Sequence, residues 1–295
     1  MSNPLRAATF FLLALAASLQ AEGTIIIDDE ALSANFEQKL SRIAARGKSL
    51  SSRAAHQATV RCHGDRIALP KYAPPPAGQS GEESLYRRCA PAVVAIGSVY
   101  KCDKCDDWHQ DGFASGWIVS PTGLIVTNAH VFQPDSTDRV GVMTQDGEVF
   151  AIQEILASNT NGDATVFRID TGGKTLHCLP IARTASPGED VTIISHPMGR
   201  FYCLTTGKIS RFHREKNAQG DTSTWMSVTA DFAAGSSGGP VLNARGEVVG
   251  MVSSTLTAYS ENAENSQEKD THGSEVQMIF KDCVPLEVIR ALFKP

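Results

Sequence analysis

From about Cys89 to the C-terminus, apolar residues come in short alternating or continuous runs, each closed by a turn signal. PAVVAIGSVY, SGWIVS, LIVTNAH, RVGVMT, EVFAIQEILA, ATVFRID, VTIISH, CLTTGKIS, WMSVTADF, PVLN, EVVGMVSS and VQMIFKDC all read as strands. PTG, QDGE, PMG and ARGE supply the turns between them. So many short strands predict an all-β sandwich or barrel rather than βαβ repetition. Two stretches carry a helical period instead. DDEALSANFEQKLSRIAARG sets Leu32, Phe36, Leu40 and Ile43 on one stripe, with acids at its start, Arg46 near its end and Gly47 as a stop signal. The expected use of that stripe is docking onto the chain's own body, with oligomerisation as the alternative. PLEVIRALF, with Pro285 at its start and Leu286, Ile289 and Leu292 on one face, predicts a closing helix over 285–293. Between Lys48 and about Gly81 the chain is polar and basic, then proline-rich in YAPPPAGQSGEE, which reads as an extended linker.

Composition narrows the partners. A net charge of −5, with no long Lys/Arg block, excludes an electrostatic footprint for nucleic acid or for an anionic membrane. The N-terminal MSNPLRAATFFLLALAASLQAEG has one Arg, an apolar run from Ala7 to Ala17 and small residues leading to Ala21. That layout predicts a secretory signal peptide over 1–21, cleaved after Ala21 or, alternatively, at Ala16 or Ser18. The run is short for a membrane span, so no membrane association is expected after cleavage, an uncleaved anchor being the alternative. The predicted organisation is a signal peptide (1–21), an N-terminal helix and Pro-rich linker (22–84) and a main domain (85–295). Export makes disulfides permissible for the seven cysteines, Cys62, Cys89, Cys102, Cys105, Cys178, Cys203 and Cys283, and the odd count leaves one thiol over or a metal site.

Candidate chemistry gathers around TADFAAGSSGGPVLN. Glycines at 235, 238 and 239 permit backbone conformations closed to other residues and leave room for another chain to approach. A serine there presents its hydroxyl, and successive backbone N–H groups can converge on an oxyanion. A free hydroxyl is a poor nucleophile, so such a site needs a histidine in reach and an acid behind it. SGWIVSPTGLIVTNAHVF offers His130 after a strand, and SNTNGDATVFRID offers Asp163 just before one. His109 and His196 compete with the first, Asp170 and Asp146 with the second, and none of them has the same setting.

These residues resemble the trypsin-like serine peptidases, in particular the bacterial HtrA/Deg-type branch. SGWIVSPTGLIVTNAHV looks like the histidine motif, GDATVFRID like the aspartate motif and GSSGGPVLNARGEVVGMV like the serine motif, while ISHPMGRFYCLTTGKIS is similar to the turn and strand between the last two. The resemblance implies two six-stranded antiparallel β-barrels, about 85–185 and 186–283, with a cleft between them. It implies Ser237 as nucleophile, His130 as the base that passes the proton to the leaving amine, and Asp163 as the group that holds the imidazole. Backbone N–H groups of Gly235 and Ser237 would form the oxyanion hole. It implies no cofactor, protein or peptide substrates, a periplasmic or secreted setting in the bacterial cell envelope and possible homo-oligomers. A catalytically silent, trypsin-fold binding or scaffold protein is the alternative function.

The pattern also departs from the family. Ser236 stands where digestive relatives have an aspartate that pairs with a newly cut N-terminus, so that mode of activation is not expected, and Ser236 reads as a spacer. AYSENAENSQEKDTHGSE reads as a loop, followed by a strand and helix rather than a PDZ domain, so PDZ gating is not expected either. Counting back from Ser237 puts Asp231, followed by Phe232, in the substrate pocket, where trypsin has its selective acid; the Deg branch builds that wall differently. Finally, YKCDKCDDWHQDGFASG interrupts the region before the histidine motif. Cys102, Cys105 and His109 could be three ligands of a zinc site. Disulfide bonding is the favoured reading of these cysteines, because a lone CxxC lacks a second paired motif.

Overall fold

Two closed rings of antiparallel strands carry the chain from residue 93 to residue 285. The computed structural model describes residues 24–70, 81–216, 220–259 and 276–294. The expected signal peptide, the centre of the proline-rich stretch (71–80) and the polar segment at 260–275 lie outside them. In chain order the elements are α1 (Asp29–Ala45), α2 (Ser52–Arg61), β1 (Ile67–Ala68), α3 (Glu82–Cys89), β2 (Val93–Lys101), β3 (Trp108–Ser120), β4 (Leu124–Thr127), β5 (Arg139–Met143), β6 (Val149–Asn159) and β7 (Ala164–Ile169). They continue with β8 (Asp190–Ser195), β9 (Cys203–Lys216), β10 (Thr222–Val228), β11 (Pro240–Leu242), β12 (Val248–Tyr259), β13 (Val276–Pro285), α4 (Leu286–Ala291) and β14 (Phe293–Lys294). The first barrel closes in the order β2-β3-β4-β7-β6-β5 and the second in the order β10-β13-β12-β11-β8-β9, as the all-β reading and its resemblance imply.

Among the described residues closure leaves neither ring a free edge, and the period-two pattern fills each ring from within. Val94, Ile96, Ile118, Ile125, Val142, Ile152 and Phe167 belong to the apolar cluster of the first barrel. Val191, Ile193, Ile209, Met226, Val241 and Val249 belong to that of the second. A third cluster joins the two, with Trp117, Val126 and Val166 from the first barrel, Ile194, Met251 and Val284 from the second, and Phe36, Leu40, Leu85 and Ile289 from the helices.

The predicted N-terminal helix is α1, and it docks on the chain's own body. The Asp28 carboxylate accepts from Ala31 N–H at 2.9 Å and caps the helix. Phe36 is fully buried and meets the Phe113 ring of β3 edge-on, centroids 5.0 Å apart. Asn35 Nδ2 and Lys39 Nζ both donate to the Gly147 carbonyl, at 2.7 and 2.8 Å.

Three differences from the expected elements have physical causes. The polar stretch after Lys48 holds α2, capped by Ser51 and buried through small residues, Ala55, Ala58 and Thr59. The chain around residue 85 lies inside α3, with Glu82 and Glu83 in its first turn and Arg87 and Arg88 in its last, which suits the helix dipole. The closing helix α4 is shorter than 285–293, because Phe293 and Lys294 leave it to pair in parallel with Ile67 and Ala68.

Candidate active site

Two adjacent strands bring His130 and Asp163 together. β4 and β7 pair antiparallel, with Thr127 opposite Thr165, so the residues just beyond that end of the pair face each other. His130 lies in a single 3₁₀ turn after β4, and Asp163 in the turn before β7 with φ +56°, a left-handed backbone held by its surroundings. Asn128 Nδ2 donates to the Asp163 carbonyl at 2.9 Å and ties the two turns.

The Asp163 carboxylate is the centre of the arrangement. Oδ2 accepts from His130 Nδ1 at 2.8 Å and from Ser253 Oγ at 2.8 Å, while Oδ1 accepts from the His130 backbone N–H at 3.1 Å. This fixes the proton of the neutral imidazole on Nδ1 and leaves Nε2 as its basic nitrogen. Burial is the largest influence on His130 and alone would lower its pKa. The hydrogen bond and charge of Asp163 outweigh it and hold the pKa above the ordinary 6.5.

Ser237 sits in the glycine turn that leads into β11. Gly238 has φ +87°, and a Cβ there would come within 2.1 Å of the Ser115 carbonyl, so only glycine fits between the two barrels at this point. Ser115 N–H donates to the Ser237 carbonyl at 2.8 Å, and Ser115 Oγ donates to the Gly235 carbonyl at 2.9 Å. Met198 N–H takes the Ala234 carbonyl at 2.7 Å. The carbonyls of this loop are thus bound, whereas the N–H groups of Gly235 and Ser237 have no hydrogen-bond partner among the described residues. The Ser237 hydroxyl donates to the Ser253 carbonyl at 3.2 Å rather than to His130. His130, Ser237 and Gly235 line one cleft of about 310 Å³, together with Gly112, Phe113 and Ala114 of β3.

Comparison with known proteins gives this geometry its relatives. The family described as the trypsin-like peptidase domain matches residues 114–251, which include His130, Asp163 and Ser237. Serine protease HTRA1 of Xenopus laevis is 35% identical over 149 residues, covering 49% of this chain and 32% of that protein. Serine protease HTRA1A of Danio rerio is 33% identical over 179 residues, 59% of this chain and 36% of that one. Mitochondrial serine protease HTRA2 of Drosophila pseudoobscura pseudoobscura is 30% identical over 193 residues, 60% and 44% respectively. Residues 114–251 thus match a trypsin-like peptidase domain, and the chain is similar to HtrA-type serine proteases. It spans less than half the length of these three relatives.

Within this peptidase domain the other candidate residues take different places. Ser236 is more than a spacer: it is fully buried, and its hydroxyl accepts from Ser195 Oγ at 3.0 Å, cross-linking the glycine turn to β8. The site where an aspartate would receive a chain terminus therefore holds a neutral hydroxyl pair. His196 is fully buried, and burial pushes its pKa down to about 3. Neutral His196 accepts from Tyr202 N–H at 3.1 Å, and its own backbone N–H donates to Ser115 Oγ at 3.0 Å, so it backs the loop from behind. His109 stands instead beside Cys105.

Asp231 and Phe232, expected in the substrate pocket, stand away from the cleft that holds His130 and Ser237. The Asp231 carboxylate is 82% exposed and forms an ion pair with Lys281 of β13, whereas Phe232 packs against the core of the second barrel. The structure pairs none of the cysteines expected to form disulfides: all seven are free thiols. Ser253, which touches Asp163 through its hydroxyl and Ser237 through its carbonyl, is the functional residue that the sequence pattern does not mark.

Proposed function

We propose that the protein is an exported serine endopeptidase whose catalytic groups are Ser237, His130 and Asp163. The observation that carries the proposal is the Asp163 carboxylate, which receives His130 Nδ1, His130 N–H and Ser253 Oγ at once. An acid so placed holds the imidazole in one tautomer and stabilises the imidazolium when it forms.

The Ser237 hydroxyl turns from the Ser253 carbonyl towards His130 Nε2 when a peptide enters the cleft, a tightening common in catalytic hydrogen bonds. Its oxygen attacks the scissile carbonyl carbon while Nε2 takes its proton. The carbonyl oxygen becomes the oxyanion and accepts from the N–H groups of Gly235 and Ser237. Collapse breaks the C–N bond, the imidazolium delivers its proton to the leaving amine, and an acyl ester remains on Ser237. Water, deprotonated by His130, then releases the acid product and restores the hydroxyl. Each oxyanion-hole donor of this kind contributes about 3 to 4 kcal/mol to the transition state.

The substrates are proteins or peptides, and the N-terminal apolar run followed by small residues supports a site of action outside the cytoplasm, in envelope protein quality control. A catalytically silent binding protein is the second reading, favoured by one observation, the donation of the Ser237 hydroxyl to Ser253 rather than to His130. Casein hydrolysis by the purified mature chain and by Ser237→Ala separates the two. The proposal requires activity in the parent that the variant loses; equal hydrolysis by both would overturn the assignment.

A further inference from the structure

We propose that the tip of the β2–β3 hairpin is a metal site, in which Cys102 Sγ, Cys105 Sγ and His109 Nε2 bind one thiophilic divalent cation such as Zn²⁺. The three donor atoms all lie within 4.8 Å of one another, and Cys105 Sγ is 3.0 Å from His109 Nε2. Tetrahedral zinc with ordinary Zn–S and Zn–N lengths needs ligand atoms roughly 3.5–3.8 Å apart, so small adjustments of these partly or fully exposed side chains bring the three donors onto one ion.

The loop is built around those sulfurs. Lys104 N–H donates to Cys102 Sγ at 3.4 Å. An amide donor to sulfur favours the thiolate, the form in which cysteine binds a metal. The turn is closed by Cys102 N–H to the Asp107 carbonyl at 2.8 Å and by Asp106 N–H to the Cys102 carbonyl at 3.1 Å. Asp106 adopts φ +57° to permit it, and Lys101 holds the Asp106 carboxylate at 2.9 Å.

A local disulfide would use the two cysteines and leave the approach of His109 without purpose. A metal uses all three. Binding releases the two thiol protons, the two thiolates balance the dication, and water fills the fourth position. The site has a mechanical consequence. His109 lies on β3, whose next residues line the cleft and whose Ser115 grips the Gly235 and Ser237 carbonyls. A bound cation fixes the outer end of that strand.

The test is elemental analysis of the full mature chain purified without chelator, followed by replacement with Co²⁺. Wild type is expected to carry about one zinc per chain, and its cobalt form to show thiolate-to-metal charge transfer with tetrahedral d–d bands. Cys102→Ser with Cys105→Ser is expected to lose the metal, and His109→Asn to weaken its binding by at least about tenfold. All three positions lie on the hairpin tip outside the apolar clusters, and far-ultraviolet circular dichroism confirms that the variants fold. A Cys102–Cys105 disulfide in non-reduced peptide maps, a metal-free wild type after zinc supplementation, or unchanged zinc content in folded variants would each overturn the proposal.

Discussion

Replacing Ser253 by alanine removes one hydroxyl and leaves the backbone carbonyl that now holds Ser237. The lost interaction is the 2.8 Å hydrogen bond to Asp163 Oδ2. A hydrogen bond to a charged group contributes about 1.5–3 kcal/mol. At about 1.4 kcal/mol per tenfold in rate, that range corresponds to roughly a 10- to 150-fold loss in kcat/KM. The Asp163 side chain is 14% exposed, so water replaces part of the lost donor and the expected loss lies near the lower end, about tenfold. The loss should fall on kcat rather than KM, because the hydroxyl supports the base and touches no substrate. The assay is hydrolysis of a fluorogenic casein or peptide substrate across pH, with Ser253→Thr as the variant that keeps a hydroxyl. A kcat/KM within twofold of wild type for Ser253→Ala, or no recovery in Ser253→Thr, would refute the coupling.

Further expectations follow from the same contacts. Because Asp163 holds the His130 pKa above 6.5, kcat/KM should fall as pH drops through a midpoint above that value, and Asp163→Asn should lower both the midpoint and the rate, by about 10⁴-fold for the rate. The linkage to folding has the opposite sense: the stability gained from a raised histidine pKa is full below the unfolded value near 6.5 and is lost as pH rises through the folded pKa, which urea titrations across pH should show. Phe36→Ala should cost about 3–5 kcal/mol in chemical denaturation, because the ring is fully buried between α1 and β3; a cost below about 1 kcal/mol would mean that the N-terminal helix is not part of the cooperative fold. If the proposed peptidase activity holds, Asp231→Asn should leave the preference among peptide-library sites unchanged, since Lys281 already neutralises that carboxylate; a switch away from Lys and Arg sites would place Asp231 in the pocket.

The residues whose chemistry needs a special backbone were the most legible. Gly235 and Gly238 have φ +93° and +87°, and a chain that concentrates glycine around one serine declares such a turn. The alternation of apolar residues likewise declared the strands, because both barrels are filled by the inward half of each run. Ser253 left no such mark. It stands in the run MVSST of β12, and only closure of the second barrel against the first turns its hydroxyl to an aspartate 90 residues earlier. The Ser236 contact leaves no mark for the same reason, since its partner Ser195 lies 41 residues away. The setting of Asp231 is likewise not legible, since position relative to Ser237 says nothing of Lys281, which reaches it from β13. Helix α2 escaped notice because its buried side is made of Ala55, Ala58 and Thr59, which carry little hydrophobic period. The cysteine-rich stretch between the first strands was legible as a candidate metal or disulfide motif, but its strand character was not. Polar residues such as His109 and Asp111 pair across the hairpin with Tyr100 and Ser98, and an exposed ladder shows no apolar alternation.

The central claim is that Ser237 is an activated nucleophile, and a fluorophosphonate reagent tests it most directly. The purified mature protein is incubated with the reagent near neutral pH, its intact mass is measured, and the adduct is mapped by peptide sequencing. The account predicts one adduct per chain on Ser237, formed more slowly as pH falls through the His130 midpoint and absent from His130→Ala. A folded chain that stays unmodified, or that is modified at another serine, would contradict it.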